Sequence, residues 1–165
     1  MIVRSFKAFM AFSATASLIC LSTAAQAQVP QYGANINLDQ ARKAMAAAIA
    51  DARRQNVPMA IAIVDNAGQL VAFERMDNTQ TASTAVAQDK AMSAAMYRRT
   101  TKVFQDAVAA GGAGLRIFTL RGANAAEGGV PIVLDGKIIG GIGVSGGLGE
   151  QDGMVAKAGA DTLGK

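Results

Sequence analysis

Lys90 stands beside Asp89 in a stretch otherwise rich in alanine, a setting in which a lysine changes character. An ammonium drawn partly out of water shifts its proton affinity and can serve as a base, as a ligand to iron or as a contact between subunits. The same residue also suits a solvated surface, or an internal ion pair with Asp65 or Asp89. Just beyond it, Met92, Met96 and Tyr97 run into Arg98, Arg99 and Thr100. Two thioethers, a phenol ring and two guanidiniums make an edge suited to a flat apolar ligand that carries carboxylates. Methionines at helical spacing equally suit a core, and Thr100 equally suits a helix cap. Arg75, in Arg75-Met76-Asp77, could grip a carboxylate. Asp152 opens the last helical segment, where the helix dipole alone is reason enough for an acid. As a set, Lys90, Arg75 and Asp152 would be the proton-transfer and orienting groups of an enzyme acting on small carboxylated or carbonyl substrates.

What is missing narrows the chemistry further. The chain has no histidine and one cysteine, Cys20, which lies in the N-terminal apolar run. Histidine-based zinc sites, Ser-His-Asp or Cys-His machinery and a histidine axial ligand are therefore all excluded. The glycine-rich stretch Gly140 to Gly147 lacks the Gly-Lys-Ser/Thr ending of a nucleotide-binding loop. Its Gly141-Ile142-Gly143-Val144-Ser145-Gly146 spacing matches a dinucleotide fingerprint, yet it falls within a strand and not at a strand-to-helix turn. Close backbone packing is one reading of these glycines, and a ligand-lining loop is the other. The balance of groups favours reversible binding over demanding catalysis.

The elements that must position these residues follow from periodicity. Arg4 and Lys7 precede an apolar run from Ala8 to Leu21 and an Ala25-Gln26-Ala27 site, the order of a secretory signal cleaved after Ala27. Residues 1–27 are thus expected to be removed, taking Cys20 with them and lowering the net charge from +4 to +2. The expected location is periplasmic or secreted, with no membrane anchor after cleavage. A nearly balanced surface without a basic stripe gives no support for nucleic-acid binding. Residues 28–36 read as a flexible leader, and 37–165 as one domain.

Asn37 and Gln40 predict a capped start to a helix over about 38–55, with Leu38, Ala41, Met45, Ala48, Ile49 and Ala52 on its apolar face. A hairpin follows: Met59 to Asp65, a turn at Asn66-Ala67-Gly68, and Leu70 to Arg75. The first of these strands is apolar on both faces and should lie inside the sheet. A helix begins near Thr84 with Ala85, Ala87, Ala91, Ala94 and Ala95 on or near one face, and a short one capped by Thr100 ends at Gly111-Gly112. Leu115 to Leu120 is a predicted third strand. The loop from Arg121 to Gly129, with Asn124 and Glu127, is the candidate lid. Pro131 to Leu134 and Lys137 to Val144 flank Asp135-Gly136, a pair suited to a type I′ turn, and Glu150 to Leu163 closes the chain as a helix. Five strands joined mainly by hairpins predict an α+β domain with a mostly antiparallel sheet.

Five segments in order resemble the GlcG/HbpS family of haem-binding proteins. They are Leu38-Asp39-Gln40-Ala41-Arg42, the hairpin Ile63 to Asp77, Asp89-Lys90-Ala91, Gly128-Gly129-Val130-Pro131-Ile132, and Gly140 to Gly147 followed by Gln151-Asp152. The resemblance implies a profilin-like fold, with helices on both faces of a five-stranded sheet, and assembly into homo-oligomers, commonly octamers. For some exported members it implies haem binding. With histidine and cysteine excluded, a haem ligand would come from Met, Tyr, Lys or an oxygen, which makes Met92, Met96, Tyr97 and Thr100 the candidates and Arg98 and Arg99 partners for propionates. Thr100 fits the family's pattern after the paired basic residues. The resulting expectation is an exported, oligomeric carrier or sensor that holds haem or a similar flat anionic molecule. A small-molecule enzyme and an extracytoplasmic signalling or interaction partner are the alternatives.

Overall fold

The computed structural model describes residues 29–164. The expected signal segment and Cys20 lie outside them. The first helix, α1 (Leu38–Gln55), starts where its capping box predicts: the Gln40 N–H donates to Asn37 Oδ1 at 2.9 Å and the Asn37 N–H to Gln40 Oε1 at 3.0 Å. Asn56, in the left-handed region at φ 54°, ends it ahead of Pro58. Ala41, Met45, Ala48, Ile49 and Ala52 are buried as expected, whereas Leu38 in the first turn is exposed.

Strands β1 (Ala60–Asp65) and β2 (Leu70–Arg75) form the predicted hairpin. Helices α2 (Ser83–Tyr97) and α3 (Thr101–Ala109) follow, then β3 (Gly129–Leu134), β4 (Lys137–Ser145) and α4 (Gly149–Ala160). Asp135 and Gly136 both have positive φ, 51° and 72°, as a type I′ turn requires. The sheet is antiparallel in the order β2-β1-β4-β3, so β1 is interior, flanked by two hydrogen-bonded neighbours.

The sheet among the described residues has four strands, not five. Leu115–Leu120 is not the predicted strand, because Gly112–Thr119 winds into a 3-10 helix. Gly111 and Gly112 reverse the chain at φ 70° and 54°, and Gly114 is pressed so closely on the Ala107 carbonyl that a Cβ there would lie 1.8 Å from its oxygen. In a three-residue turn, positions three apart share a face. Ile117 is buried, while Leu115 and Phe118, three apart, both face solvent.

The expected leader is also more ordered than predicted. From Gln31 onward it lies alongside the start of β4, beyond the end of β1. The Ile138 N–H donates to the Gln31 carbonyl at 2.8 Å, the Gly33 N–H to Ile138 at 2.7 Å and the Ile36 N–H to Ile139 at 2.7 Å. Tyr32 reaches across to the end of α2, its hydroxyl 2.8 Å from the Met96 carbonyl and 3.1 Å from that of Ala95.

Side-chain size divides the two layers of the core. On one face, Ile61, Ile63, Ile142 and Val144 pack with α1 and α4. Burying each of the isoleucines contributes about 1.5–3 kcal/mol, so most apolar stabilisation lies on this side. On the other face, Ala60, Ala62 and Val64 meet Ala87, Ala91 and Ala95 of α2. There β4 presents Gly141 and Gly143, and a Cβ on either would lie 2.6 Å from the Ala91 oxygen or 2.0 Å from the Ala87 oxygen. Helix backbone therefore rests almost directly on strand backbone, and the glycine stretch serves close packing here. Ala85, by contrast, points to solvent.

Candidate functional site

Lys90 is carried by α2 and Asp152 by α4, on opposite faces of the sheet, and the two meet at the sheet's end. Lys90 Nζ lies 2.8 Å from Asp152 Oδ2 and donates to the Val144 carbonyl at 3.0 Å. Each residue is only 3 % exposed. This corrects the expected partners. Asp89 is exposed, and Asp65 is engaged in its own turn, where its Oδ1 accepts from the N–H groups of Ala67 and Gln69 at 2.8 and 2.9 Å. Asp152 Oδ1 also accepts from the Gly147 N–H at 3.0 Å, so its place in the first turn of α4 serves both the ion pair and the helix start.

Burial pushes the Asp152 carboxyl above the usual carboxylate range, and the contacts from Lys90 and from the Gly147 and Gly146 backbone only partly offset it. Gly128 lies directly against the pair. A Cβ there would fall 2.8 Å from Lys90 Nζ and 2.8 Å from Asp152 Cβ, and its φ of 127° is itself one that favours glycine. Gly129 is as tightly held, with its N–H donating to Thr101 Oγ1 at 2.9 Å.

On the other side of Gly128 and Gly129 opens a cavity of about 720 Å³, within the range of small-molecule sites. Its apolar wall is Val130, Pro131 and Val133 of β3 with Met154 and Ala160 of α4. Thr100 and Lys102 close it from the start of α3, and Lys157 borders it on α4. Thr100 makes no capping hydrogen bond through its side chain. Lys102 donates to both carboxylate oxygens of Asp106 at 2.8 and 2.9 Å, and that hydrogen bond holds its ammonium above the ordinary value. Lys157 pairs with Asp161. The loop before β3, the candidate lid, is held here by three hydrogen bonds: Tyr97 Oη donates to the Arg121 carbonyl at 2.8 Å, the Asn124 N–H to Ser93 Oγ at 3.0 Å and the Glu127 N–H to Gln105 Oε1 at 2.8 Å.

Of the six residues singled out as a ligand-binding edge, Thr100 lines this cavity and the others are placed elsewhere. Met92 and Met96 pack over Gly68, in the β1–β2 turn. Tyr97 stacks edge-on against Phe104 with ring centroids 5.2 Å apart. Arg98 lies over the Tyr32 ring at 5.4 Å and Arg99 over Phe104 at 5.8 Å. Arg75, on the edge strand β2, borders a different depression with Arg53 and Asp77, so the three residues of the enzyme reading do not converge. Sequence reasoning missed Met154, Lys102 and Lys157. The one available signal was a large apolar residue on the polar side of the closing helix, since Met154 precedes the buried Val155 and Ala156 yet is 49 % exposed.

The sequence profile of the family described as "Haem degrading protein HbpS-like" matches residues 36–161. The chain belongs to the HbpS-like family. Protein GlcG of Escherichia coli strain K12 is 39 % identical over 101 residues, covering 61 % of this chain and 74 % of GlcG. Among solved structures, that of HbpS superposes with a TM-score of 0.73 at 28 % identity over 82 % of this chain and 94 % of HbpS. A complex described as PduOC with haem superposes at 0.70 and 28 % identity, over 79 % of this chain and 99 % of PduOC. This HbpS-like chain thus has the α+β fold of its structural relatives, with helices on both faces of an antiparallel sheet.

Proposed function

We propose that the chain is an exported, oligomeric protein that holds haem, or a similarly flat anionic molecule, reversibly as a carrier or sensor. The observation that carries this reading is the cavity between β3 and α4, whose apolar wall of Val130, Pro131, Val133 and Met154 stands beside a Thr100 hydroxyl unused in capping. Family membership and the haem-bound relative support it. The apolar wall suits a macrocycle, but the rim does not suit its carboxylates: Glu127, Asp135, Glu150 and Asp161 line the cavity, and Lys102 and Lys157 are each already paired with an aspartate. Val130, Pro131 and Met154 would face a macrocycle, and the Thr100 hydroxyl would be the oxygen donor nearest its iron among the residues expected from the sequence. Haem, when bound, would supply the iron and its redox and ligand chemistry. The protein's own part is to shield it and set its orientation. Without imidazole or thiolate, retention rests on weaker donors and apolar contact, which suits release as well as capture.

Export rests on the Arg4-Lys7, Ala8–Leu21 and Ala25-Gln26-Ala27 pattern. No helix among the described residues is long and apolar enough to cross a membrane. Self-association is supported by Val103 of α3 and by Leu115 and Phe118 of the adjoining 3-10 helix, large apolar side chains left 47, 49 and 70 % exposed. Titrating the processed chain with hemin tests the central claim. A saturable Soret shift is expected, and its absence would remove haem from the account. Steady bleaching of that band with a reductant and oxygen would move the reading from capture to the degradation named in the family's description.

A further inference from the structure

We infer that the β3–α4 cavity is a binding site for an organic cation, a molecule with an apolar body and an amine or quaternary ammonium at its end. The inference goes beyond the haem reading and does not rest on it, because it assigns the cavity a ligand of opposite charge to one that carries carboxylates. The cavity holds about 720 Å³, and its wall of hydrocarbon and thioether from β3 and α4 rewards an apolar body. Charge at the rim decides what else that body carries. Glu127, Asp135, Glu150 and Asp161 line the cavity against Lys102 and Lys157, a net excess of two negative charges. Neither lysine is free to meet an incoming anion, since Lys102 is held by Asp106 and Lys157 by Asp161.

Glu127 makes this imbalance count. Its side chain lies along the start of α4, where a Cβ on Gly153 would fall 2.8 Å from its Oε1 and one on Gly149 3.8 Å from its Oε2. It is half-buried there, and among the described residues its carboxylate has no ion-pair partner and accepts no hydrogen bond. Lys102 is near enough to feel that charge, but its ammonium is given to both carboxylate oxygens of Asp106. The N-terminal end of α4 favours a carboxylate at this place, yet it supplies no full counter-charge. A ligand that covers the apolar wall also strips water from Glu127. A neutral or anionic ligand leaves the carboxylate dehydrated and unpaired, whereas an ammonium pairs it. Asp135 and Glu150, both exposed, extend the negative field to the cavity's opening and favour the arrival of a cation.

Calorimetric titration of the processed chain with naphthylethylamine and with naphthylacetate, similar in body and opposite in charge, tests the assignment. The amine should bind saturably, and the acid should bind more weakly by about tenfold or more. Glu127→Gln keeps the size of the side chain, and should cost the amine about tenfold while bringing the two probes closer together. Met154→Lys places an ammonium from the chain itself at an exposed position of the wall, and should weaken the amine and favour the acid. Both substitutions fall on side chains open to solvent and should leave the circular dichroism unchanged. An amine that does not saturate, an acid that binds as tightly as the amine, or a Glu127→Gln protein with the wild-type preference would overturn the assignment. The haem reading fails on a different result, the absence of a Soret shift with hemin, which the comparison of amine and acid neither needs nor predicts.

Discussion

Lys90 Nζ has two partners in its buried site, the carboxylate of Asp152 and the Val144 carbonyl, and the penalty for stranding either member of such a pair exceeds what the pair itself contributes. Lys90→Met leaves Asp152 buried without its counter-charge, and should lower the unfolding free energy by about 3–5 kcal/mol in urea titration. Adding Asp152→Leu should recover most of the loss, because two apolar groups need no counter-charge. If the double variant proves as unstable as the single one, the site depends on something other than charge pairing. The same carboxyl sets a pH signature. Its value in the folded state is raised, so the native protein takes up this proton at a higher pH than the unfolded chain does. The group's contribution to stability is then fullest below the unfolded-chain value and is lost as pH rises through the raised folded value. Relative to Asp152→Asn, wild-type stability measured across that window should fall with rising pH and level off above it. A rise instead would mean that Lys90 outweighs burial.

At the scale of elements, the contact of α2 with the sheet depends on what β4 lacks. A methyl group on Gly143 would meet the Ala87 oxygen and the Ala91 nitrogen at 2.0 and 2.3 Å, both backbone atoms that cannot step aside without moving the helix. Gly143→Ala should therefore destabilise by about 3 kcal/mol or more in thermal or urea unfolding, at the upper end of overpacking costs. Gly136→Ala is the contrast. Nothing lies within 4 Å of its Cβ position, and only the φ of 72° opposes it, so a loss of about 1–2 kcal/mol is expected. Helix α2 also carries Lys90 into the site, so a shift of the helix should disturb the ion pair and the Gly128–Gly129 wall of the cavity. Hemin binding in Gly143→Ala should weaken along with stability, whereas Gly136→Ala, changed only in a turn at the cavity's border, should bind nearly as the wild type does.

For the whole molecule, Val103, Leu115 and Phe118 are exposed apolar side chains whose burial self-association would reward. Phe118→Glu should shift the native mass toward smaller species, read by native mass spectrometry or light scattering, without altering the circular dichroism. An unchanged mass in a wild type that is itself oligomeric would place the interface elsewhere. Much of the architecture was legible in the amino-acid order. The Asn37–Gln40 cap, the Asp135-Gly136 turn and the two-sided apolar character of β1 are each written in adjacent residues, and each is found where expected. Composition alone removed imidazole and limited thiolate to Cys20, which bounds the chemistry before any fold is known. The strand expected at Leu115–Leu120 failed because alternation over six residues cannot register that Gly114 is pressed against the Ala107 carbonyl, a contact made only once α3 exists. The leader was misjudged for a similar reason: its hydrogen-bond partners lie a hundred residues downstream, in β4. Tertiary structure alone chose Asp152 for Lys90, separated Arg75 from both, and brought Thr100 and Met154 to one cavity. Periodicity reports which face of an element is turned inward, but not which residue of a distant element it meets there, and a binding site is made of such meetings.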